Sequence, residues 1–135
     1  MLPKPDPRLT LALELLPEGV LVATVTGPIS LEGAVQRFQE TFAFAAQNST
    51  RKILINTLDA TGDLSISERC RLATRAVHYY RSLKVGSHAI AVVGKPPLVN
   101  GFGLQVARNM GALALLFADT ESALRWLTSP QLNRS

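Results

Sequence analysis

The side chains able to do chemistry concentrate between residues 59 and 81. Asp59 and Asp63 bracket a polar stretch, Asp63-Leu64-Ser65-Ile66-Ser67-Glu68, that leads into a run with helical spacing. Carboxylates at the carboxyl end of a parallel strand stand where open α/β sheets receive ligand groups, although aspartate is equally at home in turns and before helices. Two carboxylates alone attract a hard cation weakly and make no Mg²⁺ site. Ser65 followed three residues later by Glu68 forms a capping box, in which each side chain satisfies the other's backbone amide. A phosphate on Ser65 or Ser67 would add about −1.5 to −2 charges at a helix N-terminus, where the macrodipole favours them. Asp59, Asp63, Ser65 and Ser67 are therefore the candidate switch or partner loop. Beyond them, Arg71, Arg75 and Tyr79 form a candidate interface, since Tyr and Arg are enriched at binding hot spots.

Other reactive groups assemble into nothing larger. His78 and His88 lie ten residues apart, with no Cys/His spacing of the zinc-binding kind near either. Cys70 stands between Arg69 and Arg71, but no His-Asp partner lies nearby to make it a nucleophile. Gly94-Lys95 lacks the rest of a phosphate loop, and Pro96-Pro97 removes amides that such a loop uses. Gly101-Phe102-Gly103 is half of a dinucleotide fingerprint, placed at the wrong crossover. These two glycines serve better for close packing at a helix entrance. Phe42, Leu98 and Phe102 could then line an apolar pocket. No catalytic set, metal site or cofactor motif emerges, and the expectation is a protein that is not an enzyme and carries no cofactor.

Periodicity supplies the elements that position these residues. Leu9, Leu11, Leu13 and Leu15 alternate with Thr10, Ala12 and Glu14, the period of a half-buried strand. Pro17-Glu18-Gly19 is turn chemistry, and VLVATVT over 20–26 completes an antiparallel hairpin. Ser30 is a natural N-cap. Leu31, Ala34, Val35, Phe38, Phe42, Ala45 and Ala46 then recur at helical spacing. KILINT over 52–57 reads as a buried strand. The second helix opens at the capping box, with Ile66, Ala73, Ala76, Val77, Tyr80 and Leu83 as its buried stripe and the arginines largely off it. HAIAVV over 88–93 is a third buried strand. A short helix over 101–110, the strand LALLF over 113–117 and a final helix capped by Asp119 complete the order β-β-α-β-α-β-α-β-α. Such alternation after one hairpin predicts an α/β fold: a single mixed, mostly parallel five-stranded sheet with about four helices. Residues 1–8 read as a loose arm, 9–128 as one domain, and 129–135 as a frayed end.

Composition narrows the function class. A chain of 135 residues, 47% hydrophobic and 18% charged, buries a core without staples and is not intrinsically disordered. One cysteine allows no internal disulfide. No apolar run approaches the roughly 20 residues of a membrane span, and three prolines within Met1–Pro7 argue against a signal peptide. The expected location is the cytoplasm. A net charge of +4 invites nucleic acid, but no aromatic residues interleave with the basic ones to stack bases. The expectation is no nucleic-acid partner.

The hairpin, the step Thr26-Gly27-Pro28-Ile29-Ser30 into a helix, and Ile53-Leu54-Ile55-Asn56-Thr57-Leu58-Asp59 into a loop and helix together resemble the STAS fold. That family comprises sulfate-transporter domains and bacterial anti-sigma-factor antagonists. The closing stretch, Phe117-Ala118-Asp119 with Glu121-Ser122-Ala123-Leu124-Arg125-Trp126-Leu127, is similar to an uncharacterised antagonist-like branch. In antagonists of the family, a serine in an Asp-Ser-Ser-Gly-like loop before the second helix is phosphorylated by a partner kinase. Here Ser65 and Ser67 lie in that region, without the Asp-Ser pair or the glycine. The resemblance thus implies a STAS-like regulatory module that binds a protein partner or a second copy, without the intact phosphoserine motif. The alternative it implies is a carrier or sensor of an apolar small molecule or lipid.

Overall fold

A computed structural model describes residues 8–84, 89–95, 108 and 113–130. Each strand follows from its side-chain pattern. β1 (Thr10–Leu15) and β2 (Val20–Pro28) pair antiparallel, Thr10 opposite Thr26 through Leu15 opposite Leu21. Their turn closes as the sequence predicts: Leu16 N–H donates to Val20 O (2.9 Å), and Gly19 N–H to Leu16 O (3.0 Å), with Gly19 at φ +83°. β3 (Lys52–Thr61), β4 (Ala89–Val93) and β5 (Leu113–Phe117) then add in parallel, so the spatial order of the sheet is β1-β2-β3-β4-β5. The described residues hold three helices: α1 (Leu31–Gln47), α2 (Ile66–Ser82) and α3 (Thr120–Leu127). The further helix expected over 101–110, the apolar residues Leu98 and Phe102, and His88 fall outside the described residues. No helix among those described is long and apolar enough to cross a membrane.

All three N-caps stand where the sequence places them. Ser30 Oγ accepts from Gly33 N–H (3.1 Å), Ser65 Oγ from Glu68 N–H (3.1 Å), and Asp119 Oδ1 from Ser122 N–H (2.7 Å). Each cap satisfies an amide that the helix itself cannot.

The pleat sorts the apolar residues into two cores. Toward α1 and α2 point Leu21, Ala23, Ile53, Ile55, Ile90, Val92 and Ala114, which bury Phe42 and Ala45 of α1 and Ala76 of α2. Phe42 fills this core between Phe38 and Tyr80, with ring centroids 5.5 and 5.4 Å away. Toward α3 point Val20, Leu54, Ala89, Ala91 and Val93, covered by Ala123 and Leu127. A smaller cluster of Leu9, Val25 and Ala34 closes the start of β1 against α1. Because β3 and β4 are covered on both faces, their residues read as continuous apolar runs rather than alternation.

Three expectations need correction. β3 does not stop at Thr57 but runs to Thr61. It continues through a bulge: Thr24 pairs with Asn56 but Thr26 with Asp59, so Thr57 and Leu58 together oppose Val25. Asn56 Oδ1 accepts from Leu58 N–H (3.0 Å) and Thr57 Oγ1 donates to Val93 O (2.7 Å), holding the bulge. Ile66, assigned to the buried stripe of α2, is 70% exposed. Arg69, assigned off that stripe, is buried at 9%. Ile66 occupies the first helical position, whereas Arg69, one turn on, carries polar partners that permit its burial.

The step from β2 to α1 depends on Gly27, at φ +110°, where an added Cβ would stand 2.7 Å from the Arg8 carbonyl oxygen. Gly19 has a similarly left-handed φ but open space around it. Gly19→Ala is expected to cost about 1 kcal/mol from backbone conformation alone. Gly27→Ala should cost a further 1–3 kcal/mol or so from overlap. Urea midpoints at constant m value measure both.

Candidate functional site

The loop between β3 and α2 is built around one buried guanidinium. After Gly62, which takes φ +89°, Asp63 Oδ1 accepts from Leu64 N–H (2.8 Å) and from the Arg69 Nη2 group. Arg69 Nε donates to Leu64 O (3.0 Å), and the Leu64 side chain is buried. Arg69 therefore ties the loop's carboxylate and its carbonyl to the first turn of α2. Burial of a charged group is tolerated because its donors are matched by a carboxylate and a carbonyl.

The capping box forms as the sequence predicts. Ser65 N–H donates to Glu68 Oε1 (3.0 Å) and Ser65 Oγ accepts from Glu68 N–H. These bonds, the backbone one foremost, hold the Glu68 carboxyl below its ordinary value, with Arg71 adding a smaller contribution. Ser67 lies exposed in the first turn.

The structure brings some of the predicted residues together and separates others. Asp63 and Ser65 join one network through Leu64 and Arg69. Asp59 does not join it: its register opposite Thr26, after the bulge, turns its side chain to the sheet face away from α1 and α2. The two aspartates thus act as separate groups rather than as a pair. Among the described residues, no three His, Cys, Asp or Glu side chains are placed to hold a metal ion.

Arg71 and Arg75 are both exposed on α2. Arg75 reaches α1, where Nη1 and Nη2 donate to Glu32 Oε1 and Oε2 (2.7 and 3.4 Å). That hydrogen-bonded pair lowers the Glu32 pKa and raises that of Arg75. Tyr79 is half-buried against the α1–α2 core, so only part of its ring belongs to the surface. Cys70 is a free cysteine of intermediate exposure, and His78 is exposed. Phe42, proposed as a pocket wall, is enclosed by the core.

Arg69 is the residue that sequence reasoning missed. One signal was available: Asp63 and Arg69 are six residues apart across a helix start, within reach of each other once the chain turns at Gly62. On the surface this leaves a ledge of Ser65, Ile66, Ser67 and Arg71, standing on a fixed base. Its two internal carboxylates, Asp63 and Glu68, already accept hydrogen bonds from the loop. Chemically, the ledge offers hydroxyls, an apolar side chain and a cation for contact, and no assembled acid–base pair.

Arg69→Ala should destabilise the protein by about 2–3 kcal/mol, the scale of hydrogen bonds to a charged group together with lost packing. Arg69→Lys should recover little of it, because an ammonium cannot reproduce the divided Nε and Nη2 geometry. Thermal or urea unfolding of both variants checks this. The lowered pKa of Glu32, Glu68 and Asp119 has a signed consequence. Their contribution is fully present above the unfolded-state values, near 4.5 for Glu and 3.8 for Asp, and is lost as pH falls through the lower folded values. Stability should therefore decline on acidification below about pH 4.5, and Glu68→Gln should flatten part of that decline in a pH series of urea midpoints. No protein-family model matches this chain, and no curated protein matches it.

Proposed function

We propose that the chain is a STAS-like, non-enzymatic protein-interaction module, similar to anti-sigma-factor antagonists, whose contact surface is the first turn of α2. The observation that carries this reading is Ile66, 70% exposed between two serines on a helix end fixed by a capping box and by buried Arg69. A large apolar side chain held out by a hydrogen-bonded base, flanked by Ser67 with the cation of Arg71 one turn beyond that serine, has the anchor-and-rim character of an interaction surface. Asp63 and Glu68 are engaged inside the loop, which favours contact over proton transfer. A phosphate on exposed Ser67 would change the charge of this ledge without dismantling the Ser65 cap. The module works in the cytoplasm and needs no cofactor, in keeping with its single cysteine.

A photo-crosslinking amino acid in place of Ile66, introduced in the native host, tests the reading. One product of defined mass should form from position 66 and not from position 121, which is exposed on α3. Arg71→Glu should lower its yield about tenfold, equivalent to about 1.4 kcal/mol of affinity. Equal labelling from both positions, or a yield indifferent to Arg71→Glu, would remove this surface from consideration.

A further inference from the structure

β1 is an edge strand whose hydrogen-bonding direction can be assigned residue by residue. Leu16 N–H bonds to Val20 O, in the same register that pairs Glu14 with Val22 and Ala12 with Thr24. Antiparallel pairs alternate between those that exchange backbone bonds and those that do not. The even-numbered residues of β1 therefore bond inward to β2, and Leu11, Leu13 and Leu15 direct their N–H and C=O groups toward the free edge. Leu9 agrees with this parity, since its carbonyl accepts from Arg37 Nη1 of α1 (3.1 Å) rather than from β2.

Edge strands are ordinarily guarded by charged side chains, proline, a bulge or a covering element. β1 carries a single charge, Glu14, and neither proline nor bulge: its sequence is TLALEL, and its register against β2 is continuous. Its other edge pairs with no strand among those described. The side chains of its outward-bonding residues are all leucine, with Leu11 and Leu13 half-buried and Leu15 44% exposed.

We propose that this edge pairs with the β1 edge of a second copy, antiparallel and centred on Leu13, joining two five-stranded sheets into one. The occupant follows from symmetry. A two-fold axis through Leu13 sets Leu11 opposite Leu15 of the other copy and Leu13 opposite Leu13. All three outward-bonding residues then exchange backbone bonds, and Leu9, already engaged by Arg37, is left out. The same register sets each Glu14 opposite Ala12, so no like charges face one another directly, and it covers Leu15. An isologous contact of this kind closes on itself as a dimer. It uses a surface separate from the α2 ledge and stands whether or not that ledge binds a partner.

Sedimentation equilibrium of the full chain tests the proposal. Wild type should have twice the 14.6 kDa protomer mass, and Leu15→Lys, a change at an exposed position, should return it to the protomer mass while retaining its circular dichroism spectrum. In a Cys70→Ser background, Ala12→Cys with Glu14→Cys should oxidise to a covalent dimer, because the two positions oppose each other between copies. Neither single cysteine variant should do so. Removal of residues 2–7 should leave the mass doubled. A protomer-mass wild type at all concentrations would overturn the proposal. So would a dimer that survives Leu15→Lys but dissociates on Leu113→Lys, at the opposite edge of the sheet.

Discussion

Burial of β3 on both faces is the constraint on which the rest of the molecule depends. Ile53 and Ile55 face α1 and α2 while Leu54 faces α3, and all three are buried. Full burial of an aliphatic side chain of this size contributes about 1.5–3 kcal/mol, but only if both layers are present. A parallel strand leaves no face for solvent, so α1, α2 and α3 are needed at once. The antiparallel β1 can then stand at the edge with one face polar, which explains why Thr10, Ala12 and Glu14 alternate with leucines there.

The bulge in β3 connects this constraint to the loop. Up to Asn56 the strand keeps its neighbours in step on both sides; beyond it, one inserted residue resets which side chains face which layer. Leu58 and Asp59 become exposed, while Ala60 returns to the small cluster with Leu9, Val25 and Ala34. The chain thereby leaves the sheet at Gly62 on a course that drops Leu64 into the interior and lets Arg69 close over it. The rigidity of the α2 N-terminus is thus a consequence of strand register as much as of its own capping box.

Two surfaces of different character result. The α2 ledge is local and mixed, with hydroxyl, apolar and cationic groups on a fixed frame. The β1 edge is a backbone surface, its recognition carried by main-chain groups and a row of leucines. The Arg75–Glu32 ion pair lies at the surface of the helices. Exposed pairs of this sort contribute little to stability, so the α1–α2 arrangement rests mainly on Phe42, Tyr80 and the sheet beneath them.

The sequence by itself determined the element types of the described residues, the hairpin turn at Gly19 and the three N-caps, because each of these depends on residues close in the chain, and strand–helix alternation implied the parallel central strands. Capping boxes, turn glycines and side-chain periodicity are local physics. It also located the region of the candidate site, through Ser65, Glu68 and the aspartates. Only the tertiary structure decided which of those residues meet. The bulge that sends Asp59 to the far face arises from pairing between β2 and β3, which no local pattern encodes. The burial of Arg69 and the exposure of Ile66 reverse what helical periodicity predicts. Periodicity gives a direction around the helix axis, but not whether the sheet, a folded-in leucine or solvent lies in that direction. The outward hydrogen-bonding parity of Leu11, Leu13 and Leu15 was likewise fixed by register, since alternation in sequence tells which face a side chain takes and not which edge its backbone serves.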